Sequence, residues 1–256
     1  LTPAQAEQWA TRLVTSRTTR TCCPPITSSV ALDLDDAYAI QRAVTAIRVR
    51  RGEAVVGWKL GYTSLAMRAQ MGIDEPNSGP LTDAMILRST GDDPARLPDD
   101  VRQPRVEPEV AFVLGADLVG PVGGADVRSV VVEARAALEV VDSTWRDYRF
   151  TLADNTADGS SAAYVVLGEA IPLDAVDHLP VRLAVGEAVS EASTAAAMGS
   201  PWTALAWLRD HLTARGLHAP SGSLVITGGL TAAVPIATGD RALARFGDVA
   251  SVALIR

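Results

Sequence analysis

Seven short apolar runs fill the chain from Ala54 to Ile255: "AVVGWKLG", "VEPEVAFVL", "LEVVDS", "AAYVVLG", "PVRLAVG", "SLVITG" and "ASVALI". They are separated by stretches rich in glycine, proline and aspartate, the punctuation that bounds strands. Runs this short, with this content of β-branched residues, are too brief for buried helices and require a β-rich body. Two helices are expected to interrupt it, one in "DVRSVVVEARAAL" and one in "SPWTALAWLRDHLTARG". In the second, Ser200 caps, Pro201 opens and Gly216 closes the helix.

The N-terminal fifty residues have a different texture. Thr2, Pro3 and Gln5 supply an N-cap, a proline at the first helical position and a box-like partner, so a helix runs from here to about Thr18. After the link "TTRTCCPPITSS" a second helix starts around Asp35 and puts Ala37, Ile40, Ala43, Val44 and Ile47 on one stripe. The expected organisation is a helical N-terminal unit over 1–52 and a β-rich catalytic body over 53–256.

Hydrophobic residues make up 48% and charged residues 21%, the balance of a folded soluble protein. Acidic side chains outnumber basic ones by 30 to 23, so there is no positive field to gather phosphate backbones, and nucleic acid is excluded as a partner. Arg12, Arg17 and Arg20 read as a solvated helix face and loop. No run approaches the roughly 18 apolar residues of a membrane span, and no apolar signal core opens the sequence, so the expected location is cytoplasmic. Cys22 and Cys23 are adjacent, a poor geometry for a disulfide, and read as reduced thiols.

The stretch "PRVEPEVAFVL" carries the first sign of chemistry. On a strand, Val106, Pro108, Val110, Phe112 and Leu114 share one face, while Glu107, Glu109, Ala111 and Val113 share the other. The two carboxylates therefore point the same way, about 6 to 7 Å apart along the strand, close enough to converge on one divalent cation. A solvent-facing strand is the other reading; Ala111 and Val113 on the same face weigh against it, because ionised carboxylates beside a buried face are costly unless paired or metal-bound. Pro108 suggests an edge or a bulge. Glu139, flanked by apolar residues where the expected helix gives way to a strand, is a candidate third ligand. Three carboxylates without histidine or cysteine make a hard oxygen site suited to Mg²⁺ or Mn²⁺.

The ordered pieces "DAYAIQRA", "VGWKLGYTS", "QMGIDEPNSGPLTDAM", "PRVEPEVAFVL", "ALEVVDS", "LADNTADGSSAAYVVLG", "SPWTALAWL", "GGLTAAVPIATGD" and "FGDVASVAL" together resemble the fumarylacetoacetate hydrolase superfamily. Within it they resemble the branch of 2-oxo-4-pentenoate hydratases and 4-oxalocrotonate decarboxylases of aromatic degradation. The resemblance implies an α+β fold, a mixed β-sandwich or roll with flanking helices behind the helical N-terminal unit, and a homo-oligomer. It implies Glu107, Glu109 and Glu139 as ligands of Mg²⁺ or Mn²⁺, Lys59 as a catalytic cation, and Asp158 and Ser161 as contacts to substrate or water.

The implied substrate is a small 2-oxo-enoic acid. Decarboxylation of a 4-oxalocrotonate-like dicarboxylate is set ahead of hydration of 2-hydroxypenta-2,4-dienoate, because "EPE", "LTDAM" and "DSTWRDYRFTL" resemble the decarboxylases. Asn77 stands where hydratases carry Asp, and is placed among the substrate contacts. Gly159, Trp145, Thr144 and Ser200 replace the family's usual Asn, Tyr, Arg and Asn. Loss of that arginine leaves Arg146 or Arg149 to clamp a substrate carboxylate, or points to a different 2-oxo acid, for instance in biosynthesis. A scaffold without catalysis is opposed by the retained glutamates and Lys59. Acylpyruvate-type hydrolysis would call for a His-Glu pair, whereas His178, His211 and His218 all come late in the chain, where a solvated structural role is expected.

Overall fold

The structure, a computed structural model, describes residues 1–64, 68–69, 72–90, 93–120 and 126–256. Gln70 and Met71 of the quoted motif lie outside the described residues. Two helices open the fold, α1 (Pro3–Thr19) and α2 (Leu34–Arg50). The strands that follow are β1 (Val55–Gly61), β2 (Asn77–Thr82), β3 (Ile86–Arg88), β4 (Ala95–Arg96), β5 (Arg105–Leu114) and β6 (Val131–Val141). A short helix α3 (Leu152–Ala157) leads to β7 (Ala162–Ile171), β8 (Pro180–Val185) and β9 (Ala188–Ser193). Helix α4 (Pro201–Ala214) precedes β10 (Leu224–Ile226), β11 (Val234–Pro235), β12 (Arg241–Phe246) and β13 (Ala250–Ile255).

Thr2 and Gln5 form the expected capping box on α1, and Asp33 caps α2 by accepting from the Asp36 amide at 2.8 Å. The stripe Ala37, Ile40, Val44 and Ile47 of α2 packs on Ala10, Leu13 and Val14 of α1 and on Trp145 and Ala153 of the body. Asp154, fully buried in α3, accepts from the amide and hydroxyl of both Thr27 and Thr151, which ties the link after α1 to the body. Arg17 is not a solvated arginine: its guanidinium reaches the carbonyls of Ala162 at 2.8 Å and Asp158 at 3.2 Å. Its place on the inner turn of α1 decides this, since that face of the helix lies against the strand that begins at Ala162.

Among the described residues the strands form two sheets, in the orders β2-β1-β10-β5-β6-β7-β3, with β11 also on β5, and β4-β13-β12-β8-β9. The fold is α+β. The main core lies between the sheets and α4, joining Val106, Val110, Phe112 and Leu114 of β5 to Leu183 of β8, Val252 of β13 and Leu205 of α4. Phe112, fully buried, stacks on Trp202 with ring centroids 4.5 Å apart, a contact on the order of 2–3 kcal/mol by burial. The opposite face of the large sheet packs Ala111, Ala137, Val165 and Ile226. Strand β5 thus divides its side chains as the alternation predicts.

Three further expectations fail. "DVRSVVVEARAAL" is a helical turn at Val127–Val130 and then strand β6, because consecutive β-branched valines resist helix and the residues alternate, Val131 inward and Val132 outward. Glu139 therefore sits within a strand, not at a helix end. Pro108 lies in a central strand, not an edge: it faces the gap where β5 exchanges one partner, β10, for another, β11, so its missing N–H costs no ladder bond on that side. Finally, the apolar runs overlook β2, β9 and β12, whose polar, glycine- or alanine-bearing sequences carry little strand signal, and the two- and three-residue strands β3, β4 and β11.

Candidate metal centre and its pocket

Sheet register assembles the three glutamates. Glu107 on β5 stands directly across from Glu139 on β6, and Glu109 follows two residues along the same face. One carboxylate oxygen from each lies within 4.8 Å of the other two. Glu109 and Glu139 are fully buried, and Glu107 forms part of the wall of a cavity of about 470 Å³.

Each carboxylate has a reason to keep its place. The Gly228 amide donates to Glu109 Oε2 at 2.6 Å, and Lys59 Nζ donates to Glu139 Oε2 at 2.8 Å. Gly229 leaves room for Glu107: a Cβ there would stand 2.7 Å from its Cδ. Gly228 adopts φ +97°, and a Cβ on it would meet the Thr63 hydroxyl. The remaining oxygens, Glu109 Oε1 and Glu139 Oε1, are buried with no hydrogen-bond partner.

Burial, reinforced by Glu139, pushes the Glu107 carboxyl up to about 7 against the pull of Lys59 and Arg105. Burial and the same glutamate raise Glu109 well above its ordinary range. Lys59 also loses solvent, but the attraction of Glu139, Glu109 and Glu107 outweighs that loss and raises its pKa, so it stays charged. Fully ionised, three carboxylates against one ammonium would leave two negative charges uncompensated. Two orphan buried oxygens and that excess fit a hard divalent cation held by Glu107, Glu109 and Glu139.

The far wall is a turn built on strain. Ser160 and Ser161 both adopt φ near +58°, a conformation that costs side-chain-bearing residues about 1 kcal/mol or more each. Asp158 Oδ1 accepts from the Ser161 amide at 2.8 Å, Asn155 donates to Ser161 Oγ at 3.0 Å, and the Asn155 carbonyl accepts from the Ser160 amide at 2.7 Å. Lys59 Nζ joins the turn to the metal centre through Ser160 O at 3.0 Å.

The expected site residues are therefore divided by the fold. Lys59, Glu107 and Ser161 line the cavity, with Glu109 and Glu139 behind them. Asp158 does not line it; buried beside Arg17, it holds the turn that presents the serines, accepting also from the Thr144 amide at 3.3 Å. Asn77 is a support as well, donating to Asn155 Oδ1 and Thr156 Oγ1 and accepting from Ser160 Oγ at 3.1 Å. Arg146 and Arg149 are exposed and outside the cavity wall, because the chain between Trp145 and Phe150 turns Tyr148 inward instead.

The guanidinium in the wall belongs to Arg105, which the sequence reading passed over. Its signal was parity: residues 105, 107 and 109 alternate onto one face of β5. Tyr62, whose phenol burial holds protonated, Tyr148, Thr63, Asp147 and Asn155 add to the polar lining. No histidine lines the cavity among the described residues. His211 is buried, not solvated: it stacks on Trp207 at 4.4 Å, and burial, with Arg215 beside it, pushes its pKa down to about 4.

Comparison with known proteins agrees with this architecture. The chain is 36% identical over 225 residues to a 4-oxalocrotonate decarboxylase of Pseudomonas putida, covering 85% of this chain and 83% of that protein. It is 37% identical over 216 residues to a 2-keto-4-pentenoate hydratase of Burkholderia vietnamiensis, covering 82% and 81%. A solved 4-oxalocrotonate decarboxylase from Pseudomonas putida G7, complexed with magnesium and adipate, superposes with a TM-score of 0.92 over 100% of this chain and 98% of that one, at 29% identity. The family model described as "Fumarylacetoacetate (FAA) hydrolase C-terminal" matches residues 54–255. The chain is an enzyme of the fumarylacetoacetate hydrolase family.

Proposed function

We propose that this enzyme is a divalent-metal-dependent lyase acting on a 2-oxo-enoic acid, and that it decarboxylates a 2-oxohex-3-enedioate-like diacid. The observation that carries the reading is the convergence of Glu107, Glu109 and Glu139 oxygens within 4.8 Å. Mg²⁺ or Mn²⁺ held there would supply Lewis-acid polarisation of a 2-oxo acid.

The chain's own groups do the rest. Lys59 keeps its ammonium charged in the cavity wall, where it would be a second positive group to offset negative charge that develops on the 2-oxo oxygen. Leu60, Val141, Phe150, Ala232 and Ala233 make much of the wall apolar, which keeps water from the carbon chain between the two carboxylates. Tyr62 and Lys59 are among the proton carriers that line the cavity, and either could return a proton to carbon.

Hydration of 2-hydroxypenta-2,4-dienoate is the second reading, favoured by the Ser161 hydroxyl and Asn155 amide that meet in the same wall and offer a seat for water. A homo-oligomeric state, a cytoplasmic location and a role in aromatic catabolism, or alternatively a biosynthetic one, are proposed from the family resemblance. The test is to incubate the Mg²⁺-loaded enzyme separately with 2-oxohex-3-enedioate and 2-hydroxypenta-2,4-dienoate. CO₂ release from the first is expected; formation of a 4-hydroxy-2-oxo acid from the second without CO₂ release from the first would move the assignment to hydration.

A further inference from the structure

We infer that Arg105 is a carboxylate subsite, which selects 2-oxo acids bearing a second, distal carboxylate. The inference rests on the proposed function for the binding of the 2-oxo acid end at the metal centre and adds what recognises the other end.

Arg105 is the first residue of β5, and its backbone is paired on both sides, to Val141 of β6 and Pro235 of β11. Its side chain leaves the strand on the face that carries Glu107 and Glu109. Two residues of strand separate its Cα from that of Glu107 by about 6.6 Å, so the guanidinium belongs to the same cavity as the metal centre without competing for the ion.

The group is held ready. It lies over the ring of Tyr148 at 4.2 Å, and that ring is fixed by its hydroxyl, which donates to the carbonyls of Gln103 at 3.1 Å and Val141 at 3.0 Å. Stacking on an aromatic face orients a guanidinium and leaves its N–H fork open for a planar anion. Among the described residues, Arg105 makes no ion pair with a carboxylate. Asp147, the other acid in this wall, is solvent-exposed.

Charge counting points the same way. A divalent ion, Lys59 and the three glutamates sum to zero, so the carboxylate of a 2-oxo monoacid already brings the site to a net negative charge. A second carboxylate entering a largely apolar cavity needs a cation of its own, and Arg105 supplies it. Beyond Arg105 and Tyr148 a second cavity of about 430 Å³ shares these residues as its boundary, so the subsite stands at a divide with room for the distal end.

Two saturated probes isolate the effect, 2-oxohexanedioate and 2-oxohexanoate, which share the 2-oxo acid end and differ in the distal carboxylate. Their affinities for the Mg²⁺-loaded protein are measured by calorimetry for wild type, Arg105→Gln and Arg105→Lys. A charge-assisted bidentate contact corresponds to a preference for the diacid of roughly 10- to 100-fold in wild type. Arg105→Gln brings the ratio close to one without weakening the monoacid, and Arg105→Lys, which keeps charge but loses the fork, falls between. Equal weakening of both probes would place Arg105 on the 2-oxo acid end and overturn the assignment, as would a preference that survives in both variants. Binding of neither probe by wild type would remove the reading beneath it, and the subsite with it.

Discussion

Replacing Lys59 by methionine tests whether the metal centre is held together by charge before a metal arrives. Lys59 and Glu139 form an ion pair at 2.8 Å with side chains 3% and 0% exposed. Removing one partner of such a pair costs roughly 3–5 kcal/mol, because the other charge is left buried. For a chain of this length each kcal/mol moves the melting temperature by about 2–4 °C, giving a drop of roughly 6–20 °C at pH 7. Thermal unfolding followed by circular dichroism in EDTA reads the drop. The double variant Lys59→Met/Glu139→Gln, neutral at both positions, recovers most of the loss. A drop below about 2 °C at pH 7, or a double variant as unstable as the single one, would refute the reasoning.

Cation binding should release protons. Glu107 in the metal-free protein is raised by burial, and secondarily by Glu139, to about 7, so it keeps its proton up to neutral pH and must lose it to bind metal. Mn²⁺ affinity measured by calorimetry therefore rises with pH through about 7, and Glu109, whose proton burial and Glu139 also hold, adds to the rise. By the same sign, the metal-free fold loses stability between about pH 4.5 and 7, where the unfolded chain has already released that proton. Glu107→Gln reduces the affinity slope and weakens binding at least tenfold. Gly229→Ala pushes a methyl group to 2.7 Å from Glu107 Cδ, so it displaces the far end of a flexible ligand rather than the backbone; Mn²⁺ affinity falls by about tenfold while the metal-free melting temperature moves by less than about 3 °C. Arg146→Ala and Arg149→Ala, both outside the cavity wall, leave the affinity for 2-oxohexanedioate within about twofold of wild type.

What the sequence revealed and what it hid have distinct physical causes. Local signals carried through: the Thr2–Gln5 box, the Ser200-Pro201 start and Gly216 stop of α4, and the alternation along β5 all concern residues within a few positions of one another. The helix expected over Asp126–Leu138 failed because alanine, glutamate and arginine favour helix in isolation, while pairing with β5 and β7 on both sides overrides that preference. At the site, parity on one strand exposed Glu107 and Glu109. It held equally for Arg105, which went unread because an arginine at a strand start looks like an ordinary surface residue. Asp158 and Asn77 were assigned by motif, and motif cannot distinguish a side chain that faces the cavity from one that holds the facing residue from behind. Their real partners, Ser161, Thr144, Asn155 and Thr156, are set by the strained turn, which no spacing rule announces.

The direct pairing of Glu107 with Glu139 makes the β5–β6 ladder a gauge for assembly of the metal centre. Side chains on a strand alternate with a period of two, so one extra residue within β6 before Glu139 would swing that carboxylate into the layer of Val106 and Val140, among hydrocarbon. An insertion of two would restore its side of the sheet but draw it a full repeat away from Glu107. Cation affinity across a series of one- and two-residue insertions thus serves as a readout of strand alignment in this fold.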